Sequence, residues 1–282
     1  MSNWQRWSGI MKCYPFEEKR LAKWSPPYIV QIKYDGDRLR NLPTETTSLI
    51  LTSEANPCFG VPHIHGQLIE SGLYTLPLDG ELYNHDLHQQ GGHELIHGIC
   101  SRKVNLHPLH EQMEFWVVDI QYYYQPQSER LKFIQSLKPT KNIKIAPFWV
   151  CDTLDEIKRV YDKIIKLNYE GIIVRNLFGA YEEKRSTMVM KFKPKKKDTY
   201  RIVGFNEEFS KDGHAKGRLG SLIMSSQTGD TFAVSAGLND DTRAKYWDIR
   251  ELLIGLDAVV HYQHLTNKQV PKGCFDLEVK FN

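Results

Sequence analysis

Ten residues near the N-terminus, Gln31-Ile32-Lys33-Tyr34-Asp35-Gly36-Asp37-Arg38-Leu39-Arg40, restrict this chain more than any other stretch. The segment Tyr28-Ile29-Val30-Gln31-Ile32, bounded by Pro26-Pro27, is β-branched and aromatic and predicts a buried strand that delivers Lys33 to its C-terminal end. Asp35-Gly36 then turns the chain. A lysine held there by aliphatic walls and near other cations is expected to have its pKa lowered, which frees the neutral amine as a nucleophile. The plainer alternative is a salt-bridged surface turn. Lys-x-Asp-Gly-x-Arg arises by chance in roughly a few chains per thousand of this length, so the motif needs companions.

Those companions lie at predicted strand ends. Glu17 to Trp24 is a short helix candidate, and Ser48 to Ser53 is a strand. Leu73 to Leu82 carries another, ending in Leu78-Asp79-Gly80-Glu81-Leu82-Tyr83, and Phe115 to Ile120 is a further hydrophobic strand. Leu154, Ile157, Val160, Tyr161, Ile164 and Ile165 fall at helical spacing behind an Asp152/Thr153 cap, predicting a helix over Thr153–Leu167. Asn168 to Gly171 ends it, so Glu170 stands where a strand begins at Gly171. Met188 to Lys193 alternates, which puts Lys191 and Lys193 on one side and Phe192 on the other.

After Pro194 the composition shifts. Lys195-Lys196-Lys197-Asp198 is the dense basic block and reads as a linker. Beyond it come short strands at Ile202–Phe205, Ser221–Met224, Thr231–Val234 and Ala258–Tyr262, with a helix over Asp240–Leu253. Such a tail suits a small, partly open barrel of the OB-fold kind. A mixed α/β domain over residues 1–198 is therefore expected to precede this barrel over 199–282.

Charge does not decide the partner, since 37 Lys and Arg against 34 acidic residues leave a net charge of only +3. The five cysteines, odd in number and without a Cys-x-x-Cys pair, argue against a disulfide framework. Met1 to Trp7 lacks a signal-peptide pattern, and no run reaches membrane-spanning length. An intracellular protein with no membrane partner is the expectation.

Lys33, Arg38, Glu81, Glu170, Lys191 and Lys193 together suit nucleotidyl transfer. The lysine would attack the α-phosphorus of a nucleoside triphosphate, the other lysines would neutralise developing charge, and Glu170 and Glu81 could share a divalent metal with phosphate oxygens. In this arrangement the chain resembles the ATP-dependent DNA ligases, covalent nucleotidyltransferases, and the resemblance implies an α+β fold class: an ATP-grasp-like adenylation domain of antiparallel sheets and helices followed by an OB-fold β-barrel. The resemblance rests on Lys33 to Arg38, Leu78 to Glu81, Phe115 to Asp119, Glu170 to Arg175 and Met190 to Lys193, in the family's order. Lys216 to Leu222 and Gly237 to Asp240 resemble the OB domain of DNA ligases in particular.

The resemblance implies ATP and Mg2+ (or Mn2+) as cofactors and nicked duplex DNA as the partner of a monomeric enzyme that serves repair or replication. Lys33 would receive AMP, Gln31 and the Ile32 backbone would read adenine, Val118 would stand at the adenine-stacking place, and Glu81 would bond the ribose. Lys191 and Lys193 would contact the α-phosphate and Glu170 would organise the metal. Arg38, Arg40, Arg102, Lys103, Lys196, Lys197, Lys216 and Arg218 would touch DNA, and Lys195 to Asp198 would be the hinge of a mobile OB domain. No further DNA-binding domain is expected.

The sequence departs from the family at three places. Ser53-Glu54 stands where an arginine for the nick 5′-phosphate is usual, which leaves that contact to Arg40 or to a residue elsewhere. Val118 replaces the usual aromatic, with Trp116 on the same strand face. The terminal motif offers only Lys272 and Lys280 where arginines are common. The alternatives are an RNA ligase or capping-type nucleotidyltransferase and, more remotely, a non-catalytic nucleic-acid-binding protein. His93-Glu94-Leu95-Ile96-His97 matches a zinc-protease pattern, but it follows Gly91-Gly92, meets Gly98 at once and leaves little room for a helix. A short helix beside the DNA is the preferred reading.

Overall fold

The structure is a computed structural model and describes residues 9–281 apart from Tyr123, Lys195, Gln263 and Asn267. The signal-peptide reading of the first seven residues and Lys195 of the basic block therefore lie outside the described residues. The chain divides into two compact units, one ending at Phe192 and the other beginning at Lys193.

In chain order the first unit holds β1 (Lys12–Pro15), α1 (Glu18–Leu21), β2 (Tyr28–Lys33), β3 (Asp37–Pro43), β4 (Ser48–Thr52), α2 (Pro62–Glu70), β5 (Leu78–Tyr83), α3 (His85–Cys100), β6 (Glu114–Ile120), α4 (Gln127–Ser136), β7 (Ile143–Ile145), β8 (Phe148–Cys151), α5 (Leu154–Lys166), β9 (Gly171–Asn176) and β10 (Arg185–Phe192). One sheet runs β1-β10-β9-β2-β8 and the other β4-β3-β5-β6-β7. The pairs β1/β10 and β6/β7 are parallel.

Burial follows pattern. Tyr28 to Ile32 are all buried because β2 has a neighbour on each side and is covered on both faces. Gly36 and Gly80 are required by space. A Cβ on Gly36 would lie 2.2 Å from the Leu82 carbonyl oxygen, and one on Gly80 2.3 Å from that of Trp116. The glycines thus let the Asp35–Asp37 loop rest on β5, and β5 on β6.

α5 begins with a capping box, Glu156 N–H donating to Thr153 Oγ1 and the Thr153 N–H to Glu156. It buries Ile157 and Ile164 against β2 and β9, each worth about 1.5–3 kcal/mol of transfer free energy. Asn168, at φ 60°, takes the left-handed position that ends the helix and aims Glu170 at the start of β9. A second core joins Leu39, Leu78, Leu82 and Phe115 to Ile64, Leu68, Leu87, Ile96 and Ile99 of α2 and α3.

The second unit holds β11 (Lys196–Phe209), β12 (Ala215–Ser225), β13 (Thr231–Val234), α6 (Asp240–Asp248), α7 (Arg250–Leu253), β14 (Asp257–Tyr262), β15 (His264–Leu265), β16 (Pro271–Lys272) and β17 (Asp276–Lys280). Its main sheet runs β13-β12-β11-β14-β17 around Ile202, Leu219, Leu222, Leu253 and Val260, the strands-with-inserted-helix pattern predicted for a partly open barrel.

Four expectations change. The basic block is not an open linker: Lys196 to Asp198 begin β11 and pair with Val260 to Tyr262. The predicted helix over Asp240–Leu253 breaks at Ile249. Leu73 to Thr75 forms a 3-10 turn, so β5 starts only at Leu78. The sequence around His93 has ample helix, since α3 runs from His85 to Cys100 and is kinked at Gly92. No helix among the described residues is long and apolar enough to cross a membrane.

Candidate active site

The antiparallel register of β2 with β9 sets Lys33 opposite Gly171, and this places its amine against the residue before that glycine. Lys33 Nζ and the Glu170 carboxylate form an ion pair. On the next strand Lys191 lies opposite Ile173, which itself faces Gln31. Gln31, Lys33, Ile173 and Lys191 line one cleft of about 270 Å³, together with Ile32, Tyr34, Arg38, Glu81, Val118 and Arg175, and Glu170 is tied to it through its ion pair with Lys33. The second sheet supplies Arg38 and Glu81, paired across β3 and β5.

The electrostatics reverse one expectation. Arg38, Arg175 and Lys191 share the cleft with Lys33, but the charges that act most on its amine are carboxylates. Burial pushes its ammonium toward neutrality, but the carboxylates of Glu170, Glu81 and Asp35 outweigh burial, and the net shift is upward. Before nucleotide binds, the amine is held protonated. For Glu81 the balance runs the other way: burial pushes its carboxyl up to about 7, and the charges of Arg38 and Lys33 offset this only in part.

Arg38 is anchored. Its Nε and Nη2 donate to the Asp79 oxygens at 2.7 and 2.6 Å, and its Nη1 lies 3.9 Å from Glu81. Tyr181 Oη donates to the same Asp79 carboxylate at 2.7 Å. Asp79 is fully buried, so this fork fixes the guanidinium at the cleft wall.

Beneath the cleft runs a buried network. Gln31 Nε2 donates to the Val118 carbonyl at 3.1 Å, and Gln31 Oε1 accepts from Arg175 Nε at 2.7 Å. Arg175 and Arg130 both bind the fully buried Asp119. Burial opposes the Asp119 charge, but the two guanidiniums outweigh it and hold the carboxyl below its usual range. The sequence identified Gln31, yet it gave no hint that Arg130 and Arg175 would meet on one aspartate. Asp79 and Arg175 lay inside quoted motifs without a role, while Tyr181 and the cleft-lining Ile10 to Cys13 carried no local signal.

The other predicted residues divide. Val118 lines the cleft, but Trp116 does not supply the missing aromatic there: its ring stacks on Tyr34 at 5.3 Å and its indole N–H donates to Glu114. Arg40 is 1% exposed and its Nη1 donates to the Gly9 carbonyl, so it pins the N-terminal segment and cannot take over a contact with DNA. Strand alternation explains this, because Arg40 follows Arg38 on the same face but lies deeper under the sheet. Arg102 and Lys103 are exposed just after α3. Lys193, Lys196, Lys197, Lys216 and Arg218 lie in the second unit, where Lys196 and Lys197 are exposed and Lys216 and Arg218 are paired with Glu208.

Magnesium takes one or two carboxylates and completes its shell with water and phosphate oxygens. Glu81 and Glu170 converge on one ammonium, and Glu81 is short of cationic compensation, so this donor set fits the ion. Among the described residues, no group of three or more His, Cys, Asp or Glu side chains could hold a metal, which leaves the zinc-protease reading without a site.

Residues 11–193 match the family model described as the ATP dependent DNA ligase domain. A search of curated protein sequences gave no match. Among solved structures, the chain is similar to one from a study of Lig E DNA ligases and DNA binding with a minimal scaffold, at 18% identity and TM-score 0.78, covering 96% of this chain and 99% of that one. It is also similar to the ATP-dependent DNA ligase of bacteriophage T7 in complex with ATP, at 15% identity and TM-score 0.54, covering 97% and 99%. Chlorella virus DNA ligase-adenylate matches at 17% identity and TM-score 0.52, again covering 97% and 99%. These likenesses establish the fold, an adenylation domain followed by an OB-fold domain.

Proposed function

The chain belongs to the ATP-dependent DNA ligase family, and on that premise we propose that it seals nicks in duplex DNA through an AMP-lysine intermediate on Lys33. The observation that carries this reading is the convergence of Lys33, Glu81, Arg38 and Lys191 around one cleft, with Glu170 ion-paired to Lys33. Glu170 accepts the proton that the Lys33 ammonium must lose. The amine then attacks the α-phosphorus of ATP, a phosphorus–nitrogen bond forms and pyrophosphate leaves.

Lys191 faces the α-phosphate during this step and again during transfer of AMP to the 5′-phosphate of the nick. The 3′-hydroxyl then attacks that phosphate, joining the strands and expelling AMP. The Gln31, Val118 and Ile173 walls hold the base, Glu81 the ribose, and Arg38, fixed by Asp79, the nick. Magnesium held by Glu170 and Glu81 would neutralise phosphate charge. The enzyme acts as a monomer, with Arg102, Lys103, Lys196, Lys197, Lys216 and Arg218 as contacts to the DNA backbone.

The test is incubation with α-labelled ATP and magnesium, followed by mapping of the label. Wild type is expected to carry AMP on Lys33 and to seal a nicked duplex. Absence of covalent label, or undiminished labelling of Lys33→Ala, overturns the mechanism.

A further inference from the structure

The two aspartates flanking Gly36 are gripped from one side by a single helix. His88 Nε2 donates to Asp35 Oδ2 at 3.0 Å. His97 Nδ1 lies 2.9 Å from Asp37 Oδ2, and His93 Nε2 lies 3.3 Å from Asp37 Oδ1. The His93 and His97 rings stack at 5.9 Å and 14°, as residues four apart on a helix do. A straight helix would not aim His88 at the same loop as these two, because five residues rotate it by about 500°. Gly92, at φ 63° and ψ −163°, breaks the helix into two halves and re-aims the second; that backbone region is open essentially to glycine alone.

We infer that His88, His93 and His97 are positioning residues for sealing: they act through Asp35 and Asp37 to fix the loop that joins Lys33 to Arg38. The inference rests on the ligase reading. From the other side the loop is already against β5, since Gly36 leaves no room for a Cβ beside the Leu82 carbonyl. The histidine contacts therefore complete a vice around Asp35-Gly36-Asp37.

The grip depends on pH. The hydrogen bond to Asp37 raises the His93 pKa and burial opposes it less. Burial works against the Asp35 carboxylate, but the His88 bond and the charges of His93, His88 and Lys33 hold it down at about 2. The other groups facing the cluster are Glu81 and Tyr83 on β5 and the thiols of Cys58 and Cys100. Burial raises the tyrosine and both thiols, Cys58 to about 11, so they stay neutral. As pH rises through the raised His93 value, the charge-assisted bond to Asp37 becomes a neutral one and the grip weakens.

The experiment is single-turnover sealing of a 5′-phosphorylated nick by pre-adenylated full-length protein, which removes Lys33 deprotonation from the measured step. Wild type is compared with His93→Gln/His97→Gln, with Asp37→Asn and with the combined variant, between about pH 6 and pH 8.5. The expected wild-type to double-variant rate ratio is about tenfold at the acid end, falling toward one at the alkaline end. The combined variant should lose no more than Asp37→Asn alone, because the histidines act through that carboxylate. A ratio independent of pH, or fully additive losses, overturns the inference. Should the double variant not fold, Asp37→Asn gives the same pH signature or its absence. A wild type that neither accepts AMP nor seals overturns the ligase reading itself, a result distinct from either.

Discussion

Lys33 is ion-paired with Glu170, a residue 137 positions away, and the net effect of its carboxylate neighbours is to keep the Lys33 amine protonated. Self-adenylation should therefore speed up as pH rises. Glu170→Gln removes a carboxylate that raises the Lys33 pKa, so the acid limb of the labelling profile should move to lower pH while the maximal rate falls by about 100-fold, the scale of a lost acid–base partner. Labelling rates across pH for the two proteins check both parts. An unmoved limb would mean that Glu170 does not set the Lys33 protonation state.

Arg38→Ala removes two hydrogen bonds to the fully buried Asp79 and retains the one donated by Tyr181. Breaking such a pair costs about 3–5 kcal/mol, and the retained hydroxyl should keep the loss near 3 kcal/mol. Urea denaturation measures it. A loss below about 1 kcal/mol would place Arg38 among ordinary surface ion pairs.

Asp119 couples stability to acid. Its native pKa is depressed by Arg175 and Arg130 despite burial, so its contribution is complete above about pH 4 and is lost as pH falls through the depressed native value. In Asp119→Asn that acid-dependent component should vanish, and the protein should be less stable at neutral pH by about 3–5 kcal/mol because two buried guanidiniums lose their shared anion. Denaturation at neutral and acid pH gives both quantities.

Thr153→Ala removes the capping oxygen of α5 far from the reacting groups. The expected cost is about 1 kcal/mol of stability, with labelling and sealing rates unchanged. A marked fall in either rate would show that the α5 start controls Glu170 at its far end.

Gly36→Ala puts a methyl group 2.2 Å from the Leu82 carbonyl oxygen. The loop must then lift from β5, at about 1–3 kcal/mol, and sealing should fall more than stability does. Comparing the melting curve with the sealing rate separates the two effects.

Local pattern was enough to read β2, α5 and the strand bearing Lys191, because alternation, helical spacing and the cap at Asp152/Thr153 are properties of neighbouring residues. The cleft residues Lys33, Glu81 and Lys191 were legible for the same reason: each sits at or near the end of a strongly patterned strand. Breaks such as Ile249, and the continuation of strand structure through Lys196 to Asp198, were not legible, since they depend on partners that pattern does not name.

The sequence by itself determined which side chains could do chemistry, the order of elements that carries them, and the family to which the chain belongs. Tertiary structure decided which charges meet. Antiparallel register brought Glu170 to Lys33, where the sequence suggested cations, and sheet depth turned Arg40 into a core anchor. The kink at Gly92 aimed histidines 88, 93 and 97 at one loop. The physical reason is that the sign and strength of an electrostatic interaction depend on distance and burial in three dimensions, and neither is encoded in the spacing of residues along a chain.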